Sequence, residues 1–244
     1  MKWKPLLICL CSALLLLSSF LWPVTFALWQ SLDTAIFKFL NHTLEGHPWA
    51  QVFWACVNHK KADLVEDAVF LFFFILAIRA APTEKRIRRT AEFIFCIVIA
   101  GSLISFVNRT FLRSHVLIPR ESPSLVVTPC VRLSQEVTWM LGKDETVTCF
   151  PGDHATTLLF FAALYTFFAG RRLGIYASLY ALFRILPRLI VGAYWASDII
   201  VGSGCLVLFF LSWALCTPFH TWMIDRIEKI LRFRRPYEIE KDPL

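Results

Sequence analysis

Features that would identify a zinc protein or a two-part transporter are missing from this sequence. The 8 cysteines form no CxxC pair and no Cys/His spacing typical of zinc, so neither a metal site nor a cofactor is expected. There is no internal repeat and no matching pair of broken helices, which argues against a common transporter architecture. Charged residues make up only 18% of the 244 residues, whereas 57% are hydrophobic and the mean hydropathy is +0.59. So large an apolar fraction predicts an all-α integral membrane protein.

Six apolar stretches are long enough, with tolerance for tilt, to be predicted as transmembrane helices. The first could instead be a signal peptide, because Lys2 and Lys4 precede it. Its long apolar run and the lack of a clean A-x-A site favour a retained helix. The predicted spans cover about 5–29, 64–78, 91–107, 155–169, 173–193 and 199–219.

Lysine and arginine clusters orient these spans. They lie at the N-terminus, between spans two and three, between spans four and five, and after span six. With six spans, all four clusters fall on one side, which predicts that both termini are cytoplasmic in the inner membrane of a bacterium. The net charge of +7 therefore reflects orientation, and no nucleic-acid partner is expected. We divide the chain into 1–62 (first transmembrane helix and periplasmic loop), 63–220 (membrane core) and 221–244 (basic cytoplasmic tail).

Cations occur on the outer, periplasmic side of this predicted core. Arg113 and Arg120 lie in the long loop between spans three and four, against the orienting rule. Arg188 lies inside span five, where a charge is costly and indicates a function. The planar fork of arginine can bind two phosphate oxygens at once. These three arginines therefore predict a site that holds a phosphate.

The segment 151–154 is predicted to be a turn that leads into span four. A helix N-terminus presents free backbone N–H groups to an anion, and Gly152 would let the backbone approach closely. Asp153 is also typical of an N-cap. His154 could donate a proton to a leaving oxygen, and Asp198 lies at the start of span six on the same side.

Two acidic residues and two cysteines leave alternatives open. Glu66 and Asp67, at the start of span two, form either a solvated interfacial face or part of the site, paired with an arginine. Cys130 and Cys149 lie in the outer loop. An oxidising compartment would permit a disulfide between them, but sequence gives no geometry, so free thiols are equally compatible.

These blocks resemble the sequence pattern of the type 2 phosphatidic acid phosphatase superfamily, which reads K-x6-R-P, then P-S-G-H, then S-R-x5-H-x3-D. The matching blocks here are Arg113-x6-Arg120, Pro151-Gly152-Asp153-His154 and Pro187-Arg188-x5-Tyr194-x3-Asp198. The resemblance covers about 91–219 and implies that superfamily's bundle of six transmembrane helices. Further likeness around 150–154, 187–195 and 197–203 is to its lipid A-modifying enzymes. It implies undecaprenyl diphosphate as donor and lipid A as acceptor.

The resemblance also implies a role for each site residue. The arginines 113, 120 and 188 would hold the phosphate, with backbone N–H groups near Gly152 and Asp153. His154 would be the general acid and base, and Asp198 would orient the nucleophile. In the superfamily that nucleophile is a histidine, whereas this chain has Tyr194.

A tyrosine has an ordinary pKa of about 10, so little phenolate exists at neutral pH. Three hypotheses follow from Tyr194. The protein is active, through Tyr194 or by direct transfer between bound lipids; or it binds lipid phosphate without turnover; or the natural residue is histidine. A lipid-phosphate transporter is a further alternative, which the missing repeat disfavours.

Overall fold

The computed structural model describes residues 1–59, 61–105, 120–139 and 144–233. Within these ranges the chain is mainly helical and has no β-strand; an isolated bridge joins Arg120 and Thr148, and His59 is also a bridge residue. The prediction of an all-α protein is therefore confirmed for the described ranges. Arg113 and the end of the basic tail, 234–244, lie outside them.

The helices follow one another with short connections. A 3₁₀ turn, Thr83–Lys85, precedes the fifth helix, and a π-helical segment, Asp198–Ser203, precedes the tenth. In chain order they are α1 (Trp3–Leu21), α2 (Pro23–His42), α3 (Pro48–Val57), α4 (Ala62–Ala80), α5 (Arg86–Ser102), α6 (Pro123–Val126), α7 (Leu133–Glu136), α8 (Asp153–Ala169), α9 (Arg171–Ile190), α10 (Gly204–Cys216) and α11 (Phe219–Phe233).

Three helical segments among the described residues are long and apolar enough to cross a membrane. They are Trp3–Leu21, Arg171–Ile190 and Asp198–Cys216, with mean hydropathies of 2.0, 1.4 and 2.3. These apolar helices indicate an integral membrane protein. The count of six spans and the periplasmic position of the loop remain predictions.

The first predicted span, 5–29, is in fact two helices. α1 ends at Leu21, Trp22 is extended (φ −79°, ψ 125°), and Pro23 begins α2. A residue that precedes proline disfavours the helical conformation, whereas proline itself fits the first turn of a helix. The region after this span, predicted as an outer loop, is also largely helical, because α2 continues to His42 and α3 follows. α2 thereby brings Asp33 into the protein interior, where it is 1% exposed.

Aromatic side chains form much of the core between α4, α5 and α8. The rings of Phe70 and Phe161 stack at 4.2 Å, and those of Phe74 and Phe93 stack at 4.6 Å. The hydroxyl of Tyr165 donates a hydrogen bond to the carbonyl of Phe73 at 2.8 Å. A buried tyrosine needs such a partner, and this bond attaches the Tyr165 side chain to α4.

Candidate functional site

A polar cavity of about 380 Å³ opens between α4, the start of α8 and the end of α9. It brings together Asp153, His154, Arg188 and Tyr194, which the sequence predicted as site residues. The complete lining is Asp63, Glu66, Asp67, Ile104, Glu145, Thr146, Asp153, His154, Thr157, Arg188, Ala193 and Tyr194.

His154 is the second residue of α8. The helix begins at Asp153 with Gly152 as its N-cap, so the prediction of Asp153 as N-cap is wrong by one position. Gly152 has no side chain that could cap the first N–H groups, which suits an anion site. The Nε2 atom of His154 is buried and has no hydrogen-bond partner among the described residues; it lies 3.5 Å from Oε2 of Glu66.

Gly152 itself adopts an ordinary extended conformation (φ −72°, ψ 109°). A Cβ there would make ordinary contacts, 3.5 Å from Ser203 Oγ and 3.8 Å from Tyr194 Cδ1. Protein neighbours therefore do not require glycine at this position, and the close approach of the Gly152 backbone to a phosphate stays a prediction.

A tight turn at the end of α9 joins Arg188 to Tyr194. The carbonyl of Arg188 accepts hydrogen bonds from the N–H groups of Ala193 (2.9 Å) and Tyr194 (3.2 Å), and the N–H of Gly192 reaches Leu189. With Gly192 at φ +75°, this is the Schellman arrangement that commonly ends a helix. The turn reverses the chain, so that Tyr194 lines the same cavity as the buried side chain of Arg188.

Glu66 forms a buried ion pair with Arg184. The Nε of Arg184 donates to Glu66 Oε2 at 2.9 Å, and its Nη1 donates to the carbonyl of Val57, the last residue of α3, at 2.7 Å. Both side chains are less than 10% exposed. Of the two interpretations of Glu66, the structure shows the one in which it faces the site and pairs with an arginine. Asp67 is exposed, at the rim of the same cavity.

Arg120 lies apart from this cavity. Its guanidinium donates to Asp33 Oδ2 (2.6 Å), Ser197 Oγ (2.7 Å) and Asp198 Oδ1 (2.5 Å). It also lies 5.3 Å and 5.2 Å from the ring centres of Phe20 and Trp195. The guanidinium is therefore engaged by two buried carboxylates at hydrogen-bond distance, those of Asp33 and Asp198. Of the predicted arginine cage, the structure thus places Arg188 at the cavity and Arg120 outside it.

Arg120 keeps its positive charge between these two carboxylates. Burial acts to lower the pKa of its guanidinium, but the charges and hydrogen bonds of Asp198 and Asp33 outweigh that effect, so the pKa lies above its ordinary value. Arg120 is therefore a fixed cation between two carboxylates.

Asp198 and Asp33 together fix the segment 195–198. Asp198 Oδ2 accepts the N–H of Trp195 at 2.7 Å, while Asp33 accepts both the N–H (2.8 Å) and the hydroxyl of Ser197. Sequence reasoning missed Asp33 and Ser197. An acidic residue in the apolar segment after Pro23 was the available signal, and it was overlooked because this region was interpreted as the end of a span and a loop.

The two loop cysteines are free thiols in the structure. Cys149 Sγ donates to the carbonyl of Arg120 at 3.0 Å, and Cys130 Sγ contacts the carbonyl of Ser124 at 3.8 Å. Burial, and then the negative charge of Asp198, raise the pKa of the Cys149 thiol. The disulfide left open by the sequence is therefore not formed, because each thiol faces a different backbone carbonyl.

One curated protein gives a match over most of the chain. It is the lipid A 1-diphosphate synthase of Escherichia coli (strain K12), which is 32% identical over 216 residues, or 86% of each protein. No family model matches the chain, and no solved structure matches it.

Proposed function

This chain belongs to the family of lipid A 1-diphosphate synthase, within the type 2 phosphatidic acid phosphatase superfamily, and from that premise we propose that it is a lipid phosphotransferase of the periplasmic face. The donor would be undecaprenyl diphosphate, and the acceptor would be the 1-phosphate of lipid A. The observation that carries this proposal is the convergence of His154, from one sequence block, with Arg188 and Tyr194, from another, on one polar cavity.

The cavity offers a phosphate both positive charge and hydrogen-bond donors. Arg188 supplies a guanidinium, and the N-terminus of α8 supplies backbone N–H groups and the positive end of a helix dipole. Arg184 neutralises Glu66 from behind at 2.9 Å, and Asp63 lies 3.8 Å from Arg188. Glu66 and Asp63 thus each have a cation nearby, while Asp67 and Glu145 lie at the exposed rim and Asp153 is a fifth carboxylate of the lining.

The transfer needs no nucleophile from the protein. The bond between the donor's terminal phosphorus and its bridging oxygen breaks, and undecaprenyl phosphate leaves with that electron pair. The same phosphorus bonds to an oxygen of the lipid A phosphate, which is already anionic at neutral pH because the second pKa of a phosphate monoester is about 6. Arg188 would stabilise the charge on the transferred group, and His154 Nε2 would hydrogen-bond the leaving oxygen. Direct transfer is therefore compatible with Tyr194.

A second candidate function is lipid-phosphate binding without turnover. It is favoured by Tyr194, at the position where the superfamily pattern has a nucleophilic histidine. It is also favoured by Asp198, whose oxygens accept from Arg120 and the Trp195 N–H. With these two donors bound, fewer acceptor sites of Asp198 remain to orient a nucleophile at position 194.

The experiment supplies purified protein in detergent with undecaprenyl diphosphate, with and without lipid A. We expect labelled phosphate to move to lipid A. Release to water alone would indicate a phosphatase, and no turnover with retained lipid binding would favour the second candidate.

Two arginine variants on α9 test the site in this assay. Arg188→Gln removes the cation at the cavity and should lower transfer about 100-fold. Arg172→Gln changes an exposed arginine at the opposite end of α9 and should leave transfer unchanged. Equal rates for the two variants would contradict the proposed site.

A further inference from the structure

A second, apolar cavity of about 440 Å³ runs between α4, α5 and α8. Its walls are formed mainly by Phe70, Phe74, Ala100, Phe161, Leu164 and Tyr165. We call it the aromatic groove. It shares Asp67, Ile104 and Thr157 with the polar cavity, so the two cavities are adjacent.

Ring stacking and a side-chain hydrogen bond shape the aromatic groove. The Phe70 and Phe161 rings stack at 4.2 Å, and Tyr165 is anchored to the carbonyl of Phe73. Its outer rim includes Leu71 and Ile97, which are 58% and 56% exposed. Exposed leucine and isoleucine on α4 and α5 suit contact with hydrocarbon, so the groove leads from the polar cavity toward the lipid phase.

We infer that the aromatic groove binds the single polyprenyl chain of the phosphate donor, with the donor's diphosphate in the polar cavity. This inference rests on the proposed function. A ligand that spans both cavities must be charged at one end and apolar along one chain, which describes a polyprenyl diphosphate. Lipid A instead carries several acyl chains on one disaccharide, and a single groove between three helices does not accommodate them together.

Gly101 on α5 provides a way to fill the groove. It is among the lining residues, and a Cβ built there would have no heavy atom within 4 Å. The Cβ of a leucine at this position therefore meets no described heavy atom, and the rest of the side chain adds apolar volume at the groove. Val98 on the same helix is 44% exposed and is not part of the lining, so it gives a matched control.

The test measures binding of undecaprenyl monophosphate, lipid A and inorganic pyrophosphate to the full chain in detergent by native mass spectrometry. Gly101→Leu should weaken undecaprenyl monophosphate binding about tenfold or more, because the groove loses room for part of the chain. Binding of pyrophosphate and lipid A should not change. Val98→Leu should leave all three affinities unchanged. Ala100→Leu narrows the same groove from a neighbouring position and should repeat the effect.

The inference would be overturned if the wild-type protein did not bind undecaprenyl monophosphate. It would also be overturned if both groove variants bound it as well as wild type, or if lipid A binding fell instead. Failure of the proposed function would give a different result. If the prenyl lipid bound in a groove-dependent way but no phosphate was transferred, the proposed reaction would be refuted and the groove assignment would still hold.

Discussion

At the scale of single residues, the site and its surroundings are organised by buried ion pairs. Arg120 lies between Asp33 and Asp198, and Arg184 holds Glu66 beside His154. Charges buried this deeply are stable only while each has its partner, since desolvation of an unpaired charge is costly. The pairs therefore position the site more than they stabilise the fold.

Removal of Arg184 should expose this dependence. Arg184→Met leaves Glu66 buried without its cation and should destabilise the protein by about 3 kcal/mol, in line with other broken buried pairs. The double variant Arg184→Met/Glu66→Gln removes the unpaired charge and should recover much of the thermal midpoint in detergent. If the two single changes simply add in the double variant, the buried pair does not behave as a unit.

At the scale of elements, the end of α9 determines where the site residues meet. Pro187, Arg188 and Tyr194 belong to one sequence block, but their placement depends on the turn at Gly192. The carbonyl of Gly192 accepts a hydrogen bond from the N–H of Ser124 at 3.1 Å. This bond attaches the loop around Ser124 to the end of α9. The turn therefore links the loop that carries Arg120 to the cavity.

Gly192→Ala tests this turn. An alanine at φ +75° is strained, and its Cβ would lie 2.6 Å from Phe37 Cε2 and 3.0 Å from the Ser124 nitrogen. We expect a loss of more than about 2 kcal/mol in stability, together with loss of transfer activity. Gly46→Ala is the control, because Gly46 has φ +69° but no heavy atom within 4 Å of the added Cβ. If both variants melt at the same temperature, the close packing around Gly192 has no energetic weight.

Helices with long apolar runs were predictable from the sequence, whereas the break within the first run was not predicted. The apolar runs predicted α8, α9 and the segment 198–216 well, because long hydrophobic stretches specify helices. The break at Trp22 was missed, although Pro23 is typical of a helix start. The positions of Arg113 and the six-span count stay predictions.

Part of the site was predictable from the spacing of its residues in the sequence. The spacing of the motif blocks predicted that His154, Arg188 and Tyr194 belong to one site, and they do share a cavity. The partners of Arg120 could not be predicted, because Asp33 lies far from it in sequence and only the packing of α2 brings them together. The pairing of Glu66 with Arg184 was one of two open interpretations for the same reason.

At the scale of the whole molecule, the proposal depends on which side of the membrane the cavity faces. The charge pattern puts the region between α2 and α3 outside and the region between α4 and α5 inside. Glu45 and Glu84 are exposed residues in these two regions.

Single-cysteine variants of a cysteine-free chain can check this orientation in intact cells stripped of their outer membrane. Glu45→Cys should react with a maleimide that cannot cross membranes, whereas Glu84→Cys should react only after the membrane is permeabilised. Labelling in the reverse order would place the cavity on the cytoplasmic side and contradict a periplasmic transferase.

The most direct test of the account compares the wild-type protein with Tyr194→Phe in the transfer of terminal labelled phosphate from undecaprenyl diphosphate to lipid A. Phenylalanine keeps the ring against Gly152 and removes the oxygen that would attack. If phosphate passes directly between the two lipids, the variant should retain transfer within about threefold of wild type, a change of less than 1 kcal/mol in the barrier. Loss of transfer in the variant would contradict direct transfer, and absence of transfer in the wild type would refute the proposed reaction.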